Sequence, residues 1–119
     1  MVLWDGLSPV INGMISSKKR AVAYRLPNTL APLLKGKRVA IVDDAITAGS
    51  ALRGTFHALV AAGAKPAVAG ALIVLGDTAR PFLAANGLVL EALATLATPL
   101  WAPEVCPLCA RREPLDSPA

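Results

Sequence analysis

Hydrophobic and polar positions along the chain switch between two spacings. Val39 to Val42 is a short apolar run behind the basic Lys35-Gly36-Lys37-Arg38, and it predicts a strand over 38–43. From Ser50 the spacing changes: Leu52, Phe56, Leu59 and Val60 recur at i, i+4, i+7 and i+8, one face of a helix that Gly63 ends. Ala67 to Gly76 is continuously apolar and reads as a buried parallel strand. Thr78 then reads as a cap, with Pro81 early in a helix that runs to Asn86-Gly87. Leu88 to Leu93 predicts a last short strand, also buried. Upstream, residues 21–25 (Ala-Val-Ala-Tyr-Arg) read as a short strand, and Leu26 to Leu34, with two prolines and an Asn, as a loop with at most a helical turn. From Thr98 onward the chain is a Pro-rich tail.

Strand and helix thus alternate, which predicts an α/β fold with right-handed crossovers and a parallel sheet. The expected division is a leader over 1–20, a core domain over 21–97 and a C-terminal tail over 98–119. A length of 119 residues suits one domain that buries roughly two-thirds of its unfolded-chain surface. The 55% hydrophobic content argues against disorder, yet no apolar run reaches the roughly 20 residues of a membrane helix. Trp4-Asp5-Gly6 stands where a signal peptide would place its charged and apolar regions, so a cytoplasmic protein is expected.

Charge narrows the partners. The net charge is +4, with Lys18, Lys19, Arg20 and Arg25 in one group and Lys35, Lys37 and Arg38 in another. Only 4% of residues are aromatic, too little interleaving for a nucleic-acid surface. Two readings stay open for the basic groups: solvated turns beside a strand, or a positive field for a small polyanionic substrate.

The candidate chemistry lies where the first long strand ends. Asp43 and Asp44 are adjacent carboxylates, followed by the small-residue turn Thr47-Ala48-Gly49-Ser50 and then the helix. Ligands of parallel α/β sheets bind beyond the carboxyl ends of strands. Carboxylates there can accept hydrogen bonds from vicinal hydroxyls, while the turn and helix start offer N–H groups to a phosphate. Gly49 lets a phosphate approach the backbone, and Thr47 and Ser50 add hydroxyls. Neighbouring strand residues point to opposite faces, so both acids reach one ligand only where the strand is ending. The bland alternative is a solvated strand end and an ordinary helix cap. A phospho-acceptor receiver domain also pairs two Asp after a strand, with Asp77 as acceptor, but no lysine follows Lys65 to serve its site.

The run Val39-Ala-Ile-Val-Asp-Asp-Ala-Ile-Thr-Ala-Gly-Ser-Ala51 resembles the phosphoribosyl pyrophosphate (PRPP) loop of the type I phosphoribosyltransferases. Its flanks, Lys35 to Arg38 and Ala51-Leu52-Arg53-Gly54-Thr55, most resemble the orotate phosphoribosyltransferases, and the likeness runs from about Ala21 to Trp101. The resemblance implies the type I phosphoribosyltransferase fold, with PRPP held by Asp43, Asp44, Ala45, Thr47, Ala48, Gly49, Ser50 and Ala51. Asp43 and Asp44 would take the ribose hydroxyls and Thr47 to Ala51 the 5′-phosphate. It implies Mg²⁺ on the pyrophosphate, a nucleobase, orotate first, as second substrate, and no protein metal ligand. Arg25 is the basic residue expected to shield the leaving group, with Asp43 and Asp44, in the catalytic set. Ala45 is smaller than the Val, Ile or Leu usual there.

The family's other parts are abbreviated here. Gly6 to Gly13, helped by Lys18 to Arg20, reads as a degenerate pyrophosphate loop or an unpacked leader, and the flexible loop would fall at about Tyr24 to Leu34. A homodimer is expected to cover the apolar edge that a shortened sheet leaves. Arg53 and His57 share the helix face opposite the apolar stripe; His57, about two turns from the loop, is expected to face solvent or an interface rather than act as a general base, and Arg53 either to help the phosphate or to serve the surface. Cys106-Pro107-Leu108-Cys109 is a single C-x-x-C in the tail, read as a structural element rather than a helix start, with metal or redox roles as alternatives.

Overall fold

The computed structural model describes residues 26–99 and 101–114, and before them the backbone of four short strands: β1 (Val2–Asp5), β2 (Ser8–Val10), β3 (Ile15–Ser16) and β4 (Ala23–Tyr24). The one-turn α1 (Ala31–Leu34) leads into β5 (Arg38–Ile46), α2 (Ser50–Ala61), β6 (Lys65–Leu75), α3 (Arg80–Ala85) and β7 (Val89–Leu96). A single 3₁₀ turn (Pro103–Val105) and α4 (Pro107–Ala110) follow.

β5, β6 and β7 form an open parallel sheet in that order, the α/β arrangement the alternating pattern predicts. The rest of the sheet is antiparallel: β1 pairs with β5 and β2 with β1. Residues read as a leader therefore carry two sheet strands, and Ser8–Val10, inside the stretch expected as a pyrophosphate loop, is one of them. The strand expected over 21–25 is present as Ala23–Tyr24, but it pairs only with Ile15–Ser16 in a separate two-stranded sheet. Its connection to β5 holds one helical turn, too little to lay a crossover helix across the sheet.

β6 carries Pro66 despite lying between two strands. The register slips by one residue there: Val39 is opposite Pro66 and Ala40 opposite Val68, so Ala67 bulges and the imino position falls where the ladder is already broken. Beyond the bulge the pairing is regular.

The core lies on one face of the sheet. Leu52, Phe56 and Leu59 of α2 and Leu83 of α3 pack with Val39, Ile41, Ala69 and Val74, joined by Leu34 and Leu88. Val60 is 49% exposed, unlike the other predicted stripe residues. At about 100° per residue it sits at the margin of the stripe, in the last turn of α2. The end of α2 follows the sequence: Gly63 has φ +78°, its N–H bonds to the Val60 carbonyl, and Ala64 N–H reaches back to Leu59. α3 begins without Thr78 as cap; Ala79 occupies that position and no side chain caps it. Asp77 shapes this start instead, its carbonyl accepting from Arg80 N–H and its carboxylate from Arg80 Nε.

β7 departs from expectation. Leu93 is 84% exposed, and Val89 and Leu96 are more than half exposed. Strand order 5-6-7 with two right-handed crossovers puts both helices on the same side, so nothing among the described residues covers the other. No helix among the described residues is long and apolar enough to cross a membrane.

Candidate functional site

β5 runs on through the two acids to Ile46, past the predicted end, because Ala45 and Ile46 keep their places opposite Ile73 and Val74 of β6. The described pairing with β1 covers Ala40 to Val42, opposite Trp4 to Val2. The acids' own side chains bond the next backbone donors. Asp44 N–H donates to Asp43 Oδ1 at 3.0 Å, and Ala45 N–H to Asp44 Oδ1 at 2.7 Å. Side chains that fold onto the next backbone group compete with regular strand pairing. The buried positions change phase across this stretch, from Val39 and Ile41 before it to Ile46 after it.

Strand alternation puts Asp43 in line with Val39 and Ile41, on the helix-covered side, and Asp44 on the other. Asp43 is accordingly half-buried and Asp44 exposed. Burial pushes the Asp43 carboxyl above its ordinary value; the Asp44 N–H opposes this, and the neighbouring Asp44 carboxylate adds to it. The two acids remain close enough to act on one another although they begin on opposite faces.

Thr47, Ala48 and Gly49 form the turn, and Ser50 and Ala51 open α2. Gly49 occupies the N-cap with φ +79°, a left-handed conformation that costs an ordinary L-residue about 1–2 kcal/mol. It is also tightly enclosed: a Cβ built on it would lie 2.9 Å from the Cβ of Ala79. Having no side chain, Gly49 leaves the first-turn N–H groups of α2 uncapped and pointing out over the turn, where an anion is favoured. The β6–α3 loop thus supports the turn from behind, a role for Ala79 that no sequence pattern signals.

Seven expected PRPP contacts beside Asp43, namely Asp44, Ala45, Thr47, Ala48, Gly49, Ser50 and Ala51, therefore share one continuous strand–turn–helix corner with it. Arg25 lies outside the described residues, as do Lys18 to Arg20. Arg53 is turned toward the β6–α3 loop: its guanidinium donates to the Thr78 carbonyl at 3.3 Å and lies 5.6 Å from the Phe82 ring centre. His57 is exposed and makes edge contacts with the rings of Phe56 and Phe82. Asp77, the acceptor a receiver domain would need, is paired with Arg80 at 2.7 Å.

The cysteine pair is a helix start after all. Cys106 is the N-cap of α4, and its sulfur accepts from Cys109 N–H at 3.5 Å. Backbone donors lower the Cys106 thiol, while the adjacent Cys106 raises that of Cys109. The described residues hold no cluster of three or more metal-ligating side chains.

By architecture this is a Rossmann-like α/β protein: an open parallel sheet with helices crossing between its strands. No protein-family model matches the chain. Over 83 residues, 70% of its length, it is 31% identical to an orotate phosphoribosyltransferase of Thermotoga maritima. Over the same length it is 35% identical to one of Pelotomaculum thermopropionicum and 30% identical to one of Thermotoga neapolitana. The matched part is 42% of each relative, so the chain spans less than half the length of the curated relatives it matches. The similarity supports a phosphoribosyltransferase relationship over that part of the chain.

Proposed function

We propose that this chain binds PRPP at the β5–α2 corner and transfers its phosphoribosyl group to a nucleobase, with orotate as acceptor, giving orotidine 5′-phosphate and pyrophosphate. One observation carries the reading. Two interacting carboxylates at the end of a parallel strand are followed at once by a turn that exposes uncapped helix N–H groups. Vicinal hydroxyls and a phosphate are the two ends of a ribose 5-phosphate, and this corner offers acceptors to one end and donors to the other.

In this mechanism Asp43 and Asp44 orient the ribose by accepting from its hydroxyls. The backbone of Thr47 to Ala51, with the hydroxyls of Thr47 and Ser50, fixes the 5′-phosphate. Holding both ends positions the anomeric carbon for displacement through an oxocarbenium-like state. Mg²⁺ suits the donors present: they are hard oxygens, and the ion is commonly held by one or two carboxylates together with substrate phosphates. Bound there, it would neutralise charge on the departing pyrophosphate. Arg25 is proposed as the basic residue that shields the same leaving group.

The test is pyrophosphate release from PRPP with Mg²⁺ and a panel of bases including orotate. Release with orotate supports the full reading, and release with a different base corrects the acceptor. A second reading rests on the same corner, which offers binding contacts to ribose and phosphate: a PRPP-binding module or truncated copy without transfer activity. PRPP binding by calorimetry with no release selects that reading. Asp43→Asn with Asp44→Asn should abolish PRPP binding and keep the fold; unchanged affinity in the double variant rules the corner out as the site.

A further inference from the structure

The cysteine pair is left unused by the proposed reaction. Cys106 and Cys109 are both free thiols on a single turn whose start is set by Pro107. With Cys106 Sγ accepting from Cys109 N–H, the turn wraps around the first sulfur and leaves the second exposed beside it. Beyond the pair the chain folds back: Arg112 adopts φ +55°, its N–H bonds to the Cys109 carbonyl, and Glu113 N–H to that of Leu108. The backbone around the two sulfurs is thus held on both sides.

We propose that Cys106 and Cys109 are half of a tetrathiolate zinc site, completed by the same pair from a second copy of this chain. Soft sulfur donors select Zn²⁺ over the hard cations, and a closed structural site takes four ligands in a tetrahedron. Cys106 and Cys109 supply two of them. The sequence holds two cysteines and one histidine, and His57 is engaged on α2 with the rings of Phe56 and Phe82. Two copies meeting at a twofold axis supply four thiolates by symmetry. Arg112, directly behind the pair, adds positive charge next to a site whose four thiolates outweigh the ion, while Arg111 is paired with Glu113 at 3.2 Å. A redox pair is the competing use of the same spacing. Cys106 at the start of α4, its thiol lowered by backbone donors, suits that use as well, so the oxidised pair is one of the outcomes the test must separate.

Native mass spectrometry of the reduced, full-length chain with added Zn²⁺ tests this. The expected species contains two chains and one zinc, disappears with a chelator, and is absent from Cys106→Ser and from Cys109→Ser. Both variants should melt like the metal-free wild type, because the pair lies outside the core. Co²⁺ in place of zinc should give the intense visible bands of a tetrahedral thiolate site, lost in the same variants. The proposal is overturned by one zinc on a single chain, by no retained zinc, or by zinc-bound pairs that survive Cys106→Ser. It is equally overturned if the chain resists zinc and instead becomes lighter by its two thiol hydrogens.

Discussion

Asp43 follows Val39 and Ile41 along the covered side of β5, and its carboxyl is held above the ordinary carboxylate range chiefly by that burial. An acid with a raised folded-state pKa contributes stability below its unfolded value, and that contribution is lost as pH rises through the folded value. At neutral pH the ionised group therefore works against the fold. Asp43→Asn should raise stability at about pH 7 by no more than about 0.5 kcal/mol, seen as a higher melting temperature, and the gain should vanish near pH 3. Thermal melts across that range decide it; a gain that persists at acid pH would assign the effect to something other than ionisation. A side chain that lowers stability at working pH is what a binding site retains. Gly49 is a second local test. Gly49→Ala meets both a φ of +79° and the Ala79 Cβ at 2.9 Å, and should cost about 2–3 kcal/mol in chemical denaturation. Adding Ala79→Gly should recover the contact part of that loss and leave the backbone part.

At the scale of elements, α2 holds the corner against the sheet. Leu59 is fully buried between helix and strands, so Leu59→Ala should cost about 2–5 kcal/mol, whereas the half-exposed Val60→Ala should cost under about 1 kcal/mol. Comparable losses at the two positions would contradict the packing described. This contrast also marks how far the sequence could be read. The spacing of Leu52, Phe56 and Leu59 locates the helix and its buried side, and Gly63 its end, because periodicity and capping are local properties. The Asp43-to-Ser50 run was legible for the same reason. Burial of β7 was not: an apolar run such as Leu88 to Leu93 shows what could be buried, while strand order and helix placement decide what is. The β1–β2 edge and the turn at Cys106 were missed because short segments carry little period. The support of Gly49 by Ala79 joins residues far apart in the chain, and no local pattern reports such a contact.

For the whole molecule, the main consequence of strand order 5-6-7 is an asymmetric sheet. One face is packed by α2 and α3, and the other presents Val42, Leu72 and Leu93 around a shallow depression floored by Gly70 and bordered by Glu91. Leu93 is 84% exposed, so it contributes little apolar burial to the chain taken alone, and a lysine there keeps its charge in water. Leu93→Lys should therefore change unfolding free energy by no more than about 0.5 kcal/mol, in contrast to Leu59→Ala. Denaturation at two protein concentrations gives the reading its force. A small loss, the same at both concentrations, is the result for a face open to solvent. A loss above about 1 kcal/mol that grows with concentration would mean that this face is covered in solution, since only association links stability to the amount of chain present. Leu72→Lys, 60% exposed on the neighbouring strand, should follow Leu93→Lys in either case, because register places the two side by side on one surface.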